Sequence, residues 1–170
     1  MQNSNTKQFE IFNASEYKVG IVRACFNDDI TSELLKSALT TLAEYQVVEE
    51  NTVVHEVPGC VEIPAVLKAM ASTYSYDALI VLGAVIKGET PHFDYVCKMV
   101  SEGVLHVSLH NIIPVGFGIA TVNNYEQAKA RTSLGRDAVI ATLESAKIIK
   151  SEEVLMDYTE DEEVEIEKLS

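Results

Sequence analysis

The stretch "DALIVLGAVI", Asp77 to Ile86, carries no polar side chain after its aspartate. A strand with one wet face alternates polar and apolar residues. An unbroken run of this length and β-branched content suits a parallel strand covered on both faces. "GET", Gly88 to Thr90, breaks the run, and a helical pattern follows from Pro91 to about His110 with Val96, Val100, Val104 and Val107 turned inward. A buried parallel strand needs crossover connections, so this stretch predicts helices before and after it.

The flanking sequence supplies them. "KVGIVRACF", Lys18 to Phe26, is a short β-rich run closed by the cap cluster "NDD". In "ITSELLKSALTTLAEY", Ile30, Leu34, Ala38, Leu42 and Tyr45 recur at helical spacing. "TVVHEVPG", Thr52 to Gly59, reads as a second strand, and a helix from about Glu62 to Tyr74 admits Pro64 only in its first turn. "NIIPVGFGIAT" gives a fourth strand, and "NNYEQAKART" with "GRDAVIATLESAKIIK" gives one or two final helices. The order is β-α-β-α-β-α-β-α: an α/β chain with a four-stranded parallel sheet between two helical layers. "FEIF", Phe9 to Phe12, is a candidate for a short extra strand.

The chain has 170 residues, enough for one sizeable core, and 47% are apolar. Its net charge of −13 is unevenly spread, because residues 151–170 hold nine acids and one base. We therefore divide it into an N-terminal arm, 1–14, one domain, 15–150, and an acidic tail, 151–170, expected to be solvated and disordered or else an interaction segment. "MQNSNTKQ" at the start is polar and expected to fray. The acidic balance argues against nucleic acid. Three scattered cysteines, Cys25, Cys60 and Cys97, give neither a disulfide framework nor zinc spacing. No apolar run is long enough for a bilayer, so a cytoplasmic protein without membrane partners is expected.

In open α/β sheets ligands sit beyond the carboxyl ends of the strands, and the chemistry-bearing residues fall there. Thr90 is a natural N-cap and Pro91 a natural first helical residue. The N–H groups of Gly88, Glu89 and Thr90 can converge on a phosphate or carboxylate, helped by the helix dipole. His92 shares that positive field, which favours a neutral ring able to take and return a proton. In "VPGCVEIP", backbone N–H groups and Glu62 suit a polyol or heterocycle edge, although Glu62 equally suits a capping role; Cys60 reads as a small buried filler. Phe26 can stack on a flat ring or belong to the core. Phe117 is half-buried or pocket-lining, and Arg131 is a solvated arginine or a phosphate clamp. No GxGxxG follows the first strand and no P-loop lysine pattern occurs.

Taken together, "GIVRACFND", "VPGCVEIP", "YDALIVLGAVIKGETPHFDYV" and "PVGFGIATVNNYEQAKAR" resemble the successive signature segments of the lumazine synthase family, from about Lys18 to Lys147. The resemblance implies a flavodoxin-like three-layer sandwich, assembled as homopentamers that in some members build sixty-subunit shells. It implies active sites shared between neighbouring subunits and no metal or organic cofactor. The substrates would be 5-amino-6-(D-ribitylamino)uracil and 3,4-dihydroxy-2-butanone 4-phosphate. On this pattern Phe26 stacks on the pyrimidine, Cys60, Val61 and Glu62 hold the ribityl chain and ring, and Val85, Ile86 and Lys87 complete substrate binding. Gly88, Glu89 and Thr90 form the phosphate loop and His92 transfers protons. Phe117 and the phosphate-binding Arg131 come from a neighbouring subunit.

Three features depart from the pattern. Val61 replaces an aromatic or bulkier residue. "TSLGRDA" is shorter than the usual turn ending "GNKG" and lacks its lysine, leaving Arg136 as a substitute or not. The tail is long and acidic. They keep open a second reading, a flavin- or lumazine-binding or shell-forming homologue without turnover.

Overall fold

The computed structural model describes residues 9–168, with side chains through residue 152. Four strands, β1 (Val19–Ala24), β2 (Thr52–Val57), β3 (Ala78–Ile86) and β4 (Val115–Val122), form one sheet in the order β2-β1-β3-β4. Every pairing is parallel. The helices are α1 (Asp28–Glu44), α2 (Ile63–Ala71), α3 (His92–Asn111), α4 (Tyr125–Lys129) and α5 (Leu134–Lys168), with short 3₁₀ turns at Glu49–Asn51 and Cys60–Glu62.

β3 lies between β1 and β4 and is buried from Ala78 through Val85. Its even-numbered residues Ile80, Leu82 and Ala84 join one core with Ile21, Leu34, Leu42 and Leu143 under α1 and α5. Its odd-numbered residues Leu79, Val81 and Val85 join a second core with Ile63, Leu67, Val100 and Val107 under α2 and α3. The two-sided run is thus a two-sided strand, and the fold is the expected α/β sandwich of three layers. Each fully buried leucine or isoleucine in these cores stabilises the fold by about 1.5–3 kcal/mol.

Close approaches set the helices. A Cβ on Gly103 would lie 2.6 Å from the Cβ of Pro64, so a glycine lets α3 settle against α2. Lys68 Nζ donates to Asn111 Oδ1 at 2.8 Å across the same pair. On the opposite layer Arg136 Nη1 donates to Glu44 Oε2 at 2.6 Å, tying α5 to α1. Arg136 therefore serves a helix–helix contact within the chain.

Two expectations are corrected. Residues 9–12 form no strand; Phe12 instead packs edge-on against Tyr17 and Tyr45, with ring centroids 5.9 and 5.3 Å away. Aromatic burial outcompetes strand pairing there. The frayed "MQNSNTKQ" segment lies outside the described residues. The tail is no disordered appendage in its backbone either. α5 is a single helix of 35 residues that crosses position 150 and runs to Lys168. Its sequence after Gly135 contains no glycine or proline to stop it.

Candidate active site

Strand ends build the cleft. β1 and β2 stay paired past their last ladder residues: Cys25 N–H donates to the Val57 carbonyl at 2.8 Å and Phe26 N–H to that of Pro58 at 3.0 Å. The chain then turns at Asn27, whose φ of 59° is left-handed, a conformation asparagine tolerates better than most residues. Asn27 Nδ2 donates to the Ala84 carbonyl at 3.0 Å and pins this corner to β3. Phe26 is left 70% exposed at the rim, a large flat apolar face that the described chain does not cover.

The second wall is the turn Cys60–Glu62. Gly59 N–H donates to Glu62 Oε2 at 2.9 Å, so the Glu62 carboxylate caps the turn, as one of its two sequence readings had it. Cys60 is buried against β3; a Cβ on Gly83 would sit 2.5 Å from its Sγ, so only glycine admits it. Burial pushes the Cys60 thiol up to about 11, which makes it an inert filler and no nucleophile. Val61 is part-exposed at the mouth.

The third wall follows β3. Lys87 N–H still pairs with the Val122 carbonyl at 2.9 Å, and the chain then leaves the sheet. Gly88, Glu89 and Thr90 are exposed, and among the described residues their N–H groups make no hydrogen bond. Thr90 is not the cap of α3. Pro91 holds that position, accepting from Asp94 N–H at 3.0 Å, and no side chain caps the helix. The proline's own ring fixes φ at −62°, which starts the first turn without a hydroxyl.

These three walls enclose a cavity of about 540 Å³. Phe26 and Asn27 face it from the first, Gly59 to Glu62 from the second, and Ala84, Val85, Ile86, Gly88, Thr90, His92, Phe93 and Val96 from the third. The structure brings together the sequence-derived Phe26, Cys60, Val61, Glu62, Val85, Ile86, Gly88, Thr90 and His92. Lys87 and Glu89 are exposed beside it without lining it. Phe117 and Arg131 lie elsewhere. Phe117 lines a second groove of about 740 Å³ between the end of α3, β4 and α5, and Arg131 is exposed in the turn between α4 and α5. The cleft residues missed in the sequence, Asn27, Gly59, Ala84, Phe93 and Val96, adjoin recognised ones; the left-handed corner at Asn27 was signalled only by the cap cluster it heads.

Comparison with known proteins decides what this arrangement belongs to. The family model for 6,7-dimethyl-8-ribityllumazine synthase matches residues 16–150. Curated 6,7-dimethyl-8-ribityllumazine synthases from two strains of Clostridium kluyveri are each 47% identical over 143 residues, covering 81% of this chain and 93% of the relative. The chain belongs to the 6,7-dimethyl-8-ribityllumazine synthase family. This family consists of transferases of riboflavin biosynthesis, and the family match ends where the acidic part of α5 begins. Among the described residues no helix is long and apolar enough to cross a membrane.

Proposed function

We propose that the cleft is one part of a lumazine synthase active site that joins 5-amino-6-(D-ribitylamino)uracil to 3,4-dihydroxy-2-butanone 4-phosphate. The observation that carries this reading is the single 540 Å³ cavity that gathers an exposed aromatic, a capped turn, a loop of unpaired amides and a histidine. Phe26 offers the stacking surface for the pyrimidine. The amides of Cys60 and Val61 and the edge of β3 at Val85 and Ile86 meet the ribityl chain and ring, with Lys87 at the margin. The unpaired N–H groups from Gly88 to Thr90 receive the phosphate, and the Glu89 side chain points out to water.

The reaction needs little covalent help from the protein. The amine adds to the ketone and loses water, phosphate leaves, and ring closure expels a second water. Holding both substrates in register supplies most of the gain. His92 takes and returns protons beside the leaving phosphate.

The site is completed by a second copy. Phe117 and Arg131 are absent from the cleft of their own chain, which supports donation to a neighbour's cleft in a homo-oligomer, a pentamer or a sixty-subunit shell built of pentamers. The outward face of α3 supports the same assembly: Tyr95, Met99, Leu105 and Leu109 are between 54% and 70% exposed. The free thiols of Cys25, Cys60 and Cys97 support a cytoplasmic setting.

Mixing purified protein with both substrates and following the lumazine chromophore tests this. Arg131→Ala should lower kcat/KM by about 100-fold, the value of a lost charged hydrogen-bond pair. His92→Ala should lower it by about tenfold, at or below the usual range for acid–base groups, because the substrates are already reactive. Binding of the product without turnover in the wild type would overturn the catalytic reading.

A further inference from the structure

We propose that Arg23 is a positioning residue for the pyrimidine substrate, acting through Phe26 and resting on the reading of that ring as the stacking face. The odd-numbered residues of β1 turn toward α1. Val19 and Ile21 belong to the core there, and Arg23 comes next in the row. It is only 6% exposed. Burying a guanidinium is costly unless its donors are met. Here they are met from three sides. Nε donates to Thr31 Oγ1 at 3.3 Å, Nη1 to Glu56 Oε1 at 2.8 Å, and Nη2 to Asp28 Oδ1.

These partners lie on both flanks of the corner that carries Phe26. Asp28 and Thr31 belong to the first turn of α1. Glu56 pairs with Arg23 across β1 and β2, and it precedes Val57 and Pro58, whose carbonyls accept from the N–H groups of Cys25 and Phe26. One planar fork, with fixed angles between its donors, thus ties the end of β2 to the start of α1. The span from Cys25 to Asn27 is held from both sides. Asn27 needs that support, because its left-handed φ of 59° persists only where the surroundings over-determine it. Phe26 is 70% exposed and takes its direction from the backbone beneath it. Arg23 does not line the cleft, so its effect on substrate runs through this corner.

The clamp can be removed without removing the fold. Methionine fills the same buried space with no donors, and apolar replacement of a buried ion pair often leaves stability unchanged or improved. Asp28 and Glu56, with side chains 70% and 55% exposed, return to water.

The test uses full-length protein, with each substrate varied in turn and with binding of the lumazine product as a second readout. The product keeps the ring and has no phosphate. Arg23→Met should raise KM for the pyrimidine and Kd for the product by about three- to tenfold, the worth of an aromatic stacking contact. KM for the phosphate substrate, kcat and Tm should be unchanged. Asp28→Ala and Glu56→Ala are exposed changes that each leave the guanidinium one carboxylate, and each should move the same two constants by about twofold. In a Phe26→Ala background, where the stacking face is gone, Arg23→Met should add nothing. An additive effect there, or an equal rise in both KM values, would overturn the proposal by showing a general loss of structure. So would pyrimidine KM and product Kd unmoved by all three substitutions while Phe26→Ala raises both. No effect of Phe26→Ala itself removes the stacking reading, and this proposal with it.

Discussion

The two sides of α3 carry the same kind of residue and meet different fates. The inward side holds Val96, Val100, Val104 and Val107, all buried against α2 and the sheet. The outward side holds Tyr95, Met99, Leu105 and Leu109, all exposed. β-Branched valines have few rotamers, cost little entropy to fix and pack a stiff interior. The outward residues are long or aromatic, the types that dominate contacts between chains. An exposed apolar stripe rimmed by polar residues is the kind of surface that marks a contact with another chain. One side of α3 is buried by its own chain; the other is exposed, and only the proposed assembly would cover it.

The largest effect comes from placing the same charge on each side. Val100→Asp puts a carboxylate at a fully buried position and should destabilise the fold by at least about 4 kcal/mol, read as loss of the cooperative urea transition. Met99→Asp, one residue away, should shift unfolding of the chain itself by less than about 0.5 kcal/mol. It should instead reduce particle mass in sedimentation. Met99→Asp particles of unchanged mass would remove the outward face from assembly and collapse the contrast.

A second measurement asks how well the inward side is sealed. Cys60 belongs to the same core as Val96 and Val100, and burial pushes its thiol from the ordinary 9.0 to about 11. The folded chain therefore favours the neutral thiol. Below pH 9 both folded and unfolded thiols are protonated and that preference is fully present as stability. As pH rises from 9 to 11 the unfolded thiol ionises first, and stability falls by about 2–3 kcal/mol. Burial raises Tyr17 and Tyr45 in the same direction on the other side of the sheet, so the comparison must isolate the thiol. Urea midpoints of the parent and Cys60→Ala should converge between pH 8 and 11 by that amount. Parallel curves would mean that water reaches this side of α3.

How much of this was legible depends on whether one chain's own packing decides it. The apolar run of β3 and the valine stripe of α3 were readable because burial within the chain fixes both patterns. The cleft was readable because strand ends in such sheets converge whatever the side chains. "FEIF" misled because a strand signal says nothing about whether an aromatic will prefer a local cluster, here Phe12 with Tyr17 and Tyr45. The tail misled because charge predicts solvation, while helix continuation depends on the absence of breakers. Thr90 lost its capping role to the neighbouring proline. The outward stripe of α3 went unseen because Lys98, Glu102, His106 and His110 interrupt it, and interleaved charge reads as a wet face.

That interleaved charge supplies the smallest and most discriminating contrast, since each side of α3 has one lysine contact. Lys98 reaches Glu102 at 3.8 Å with both side chains more than two-thirds exposed. Such a pair gains little Coulomb energy against water, and Lys98→Ala should change stability by less than about 0.5 kcal/mol. Lys68 instead donates to Asn111 Oδ1 at 2.8 Å in a part-buried gap between α2 and the end of α3. Its loss leaves an acceptor with poorer access to water, and Lys68→Ala should cost about 1 kcal/mol, or about 2–4 °C in Tm for a chain of this size. Added salt should erase what Lys98 contributes and barely touch Lys68, because screening acts on exposed charge. Equal costs for the two substitutions would mean that the gap above Asn111 is as wet as the outer face, and that α3 is held to its own chain by the valines alone.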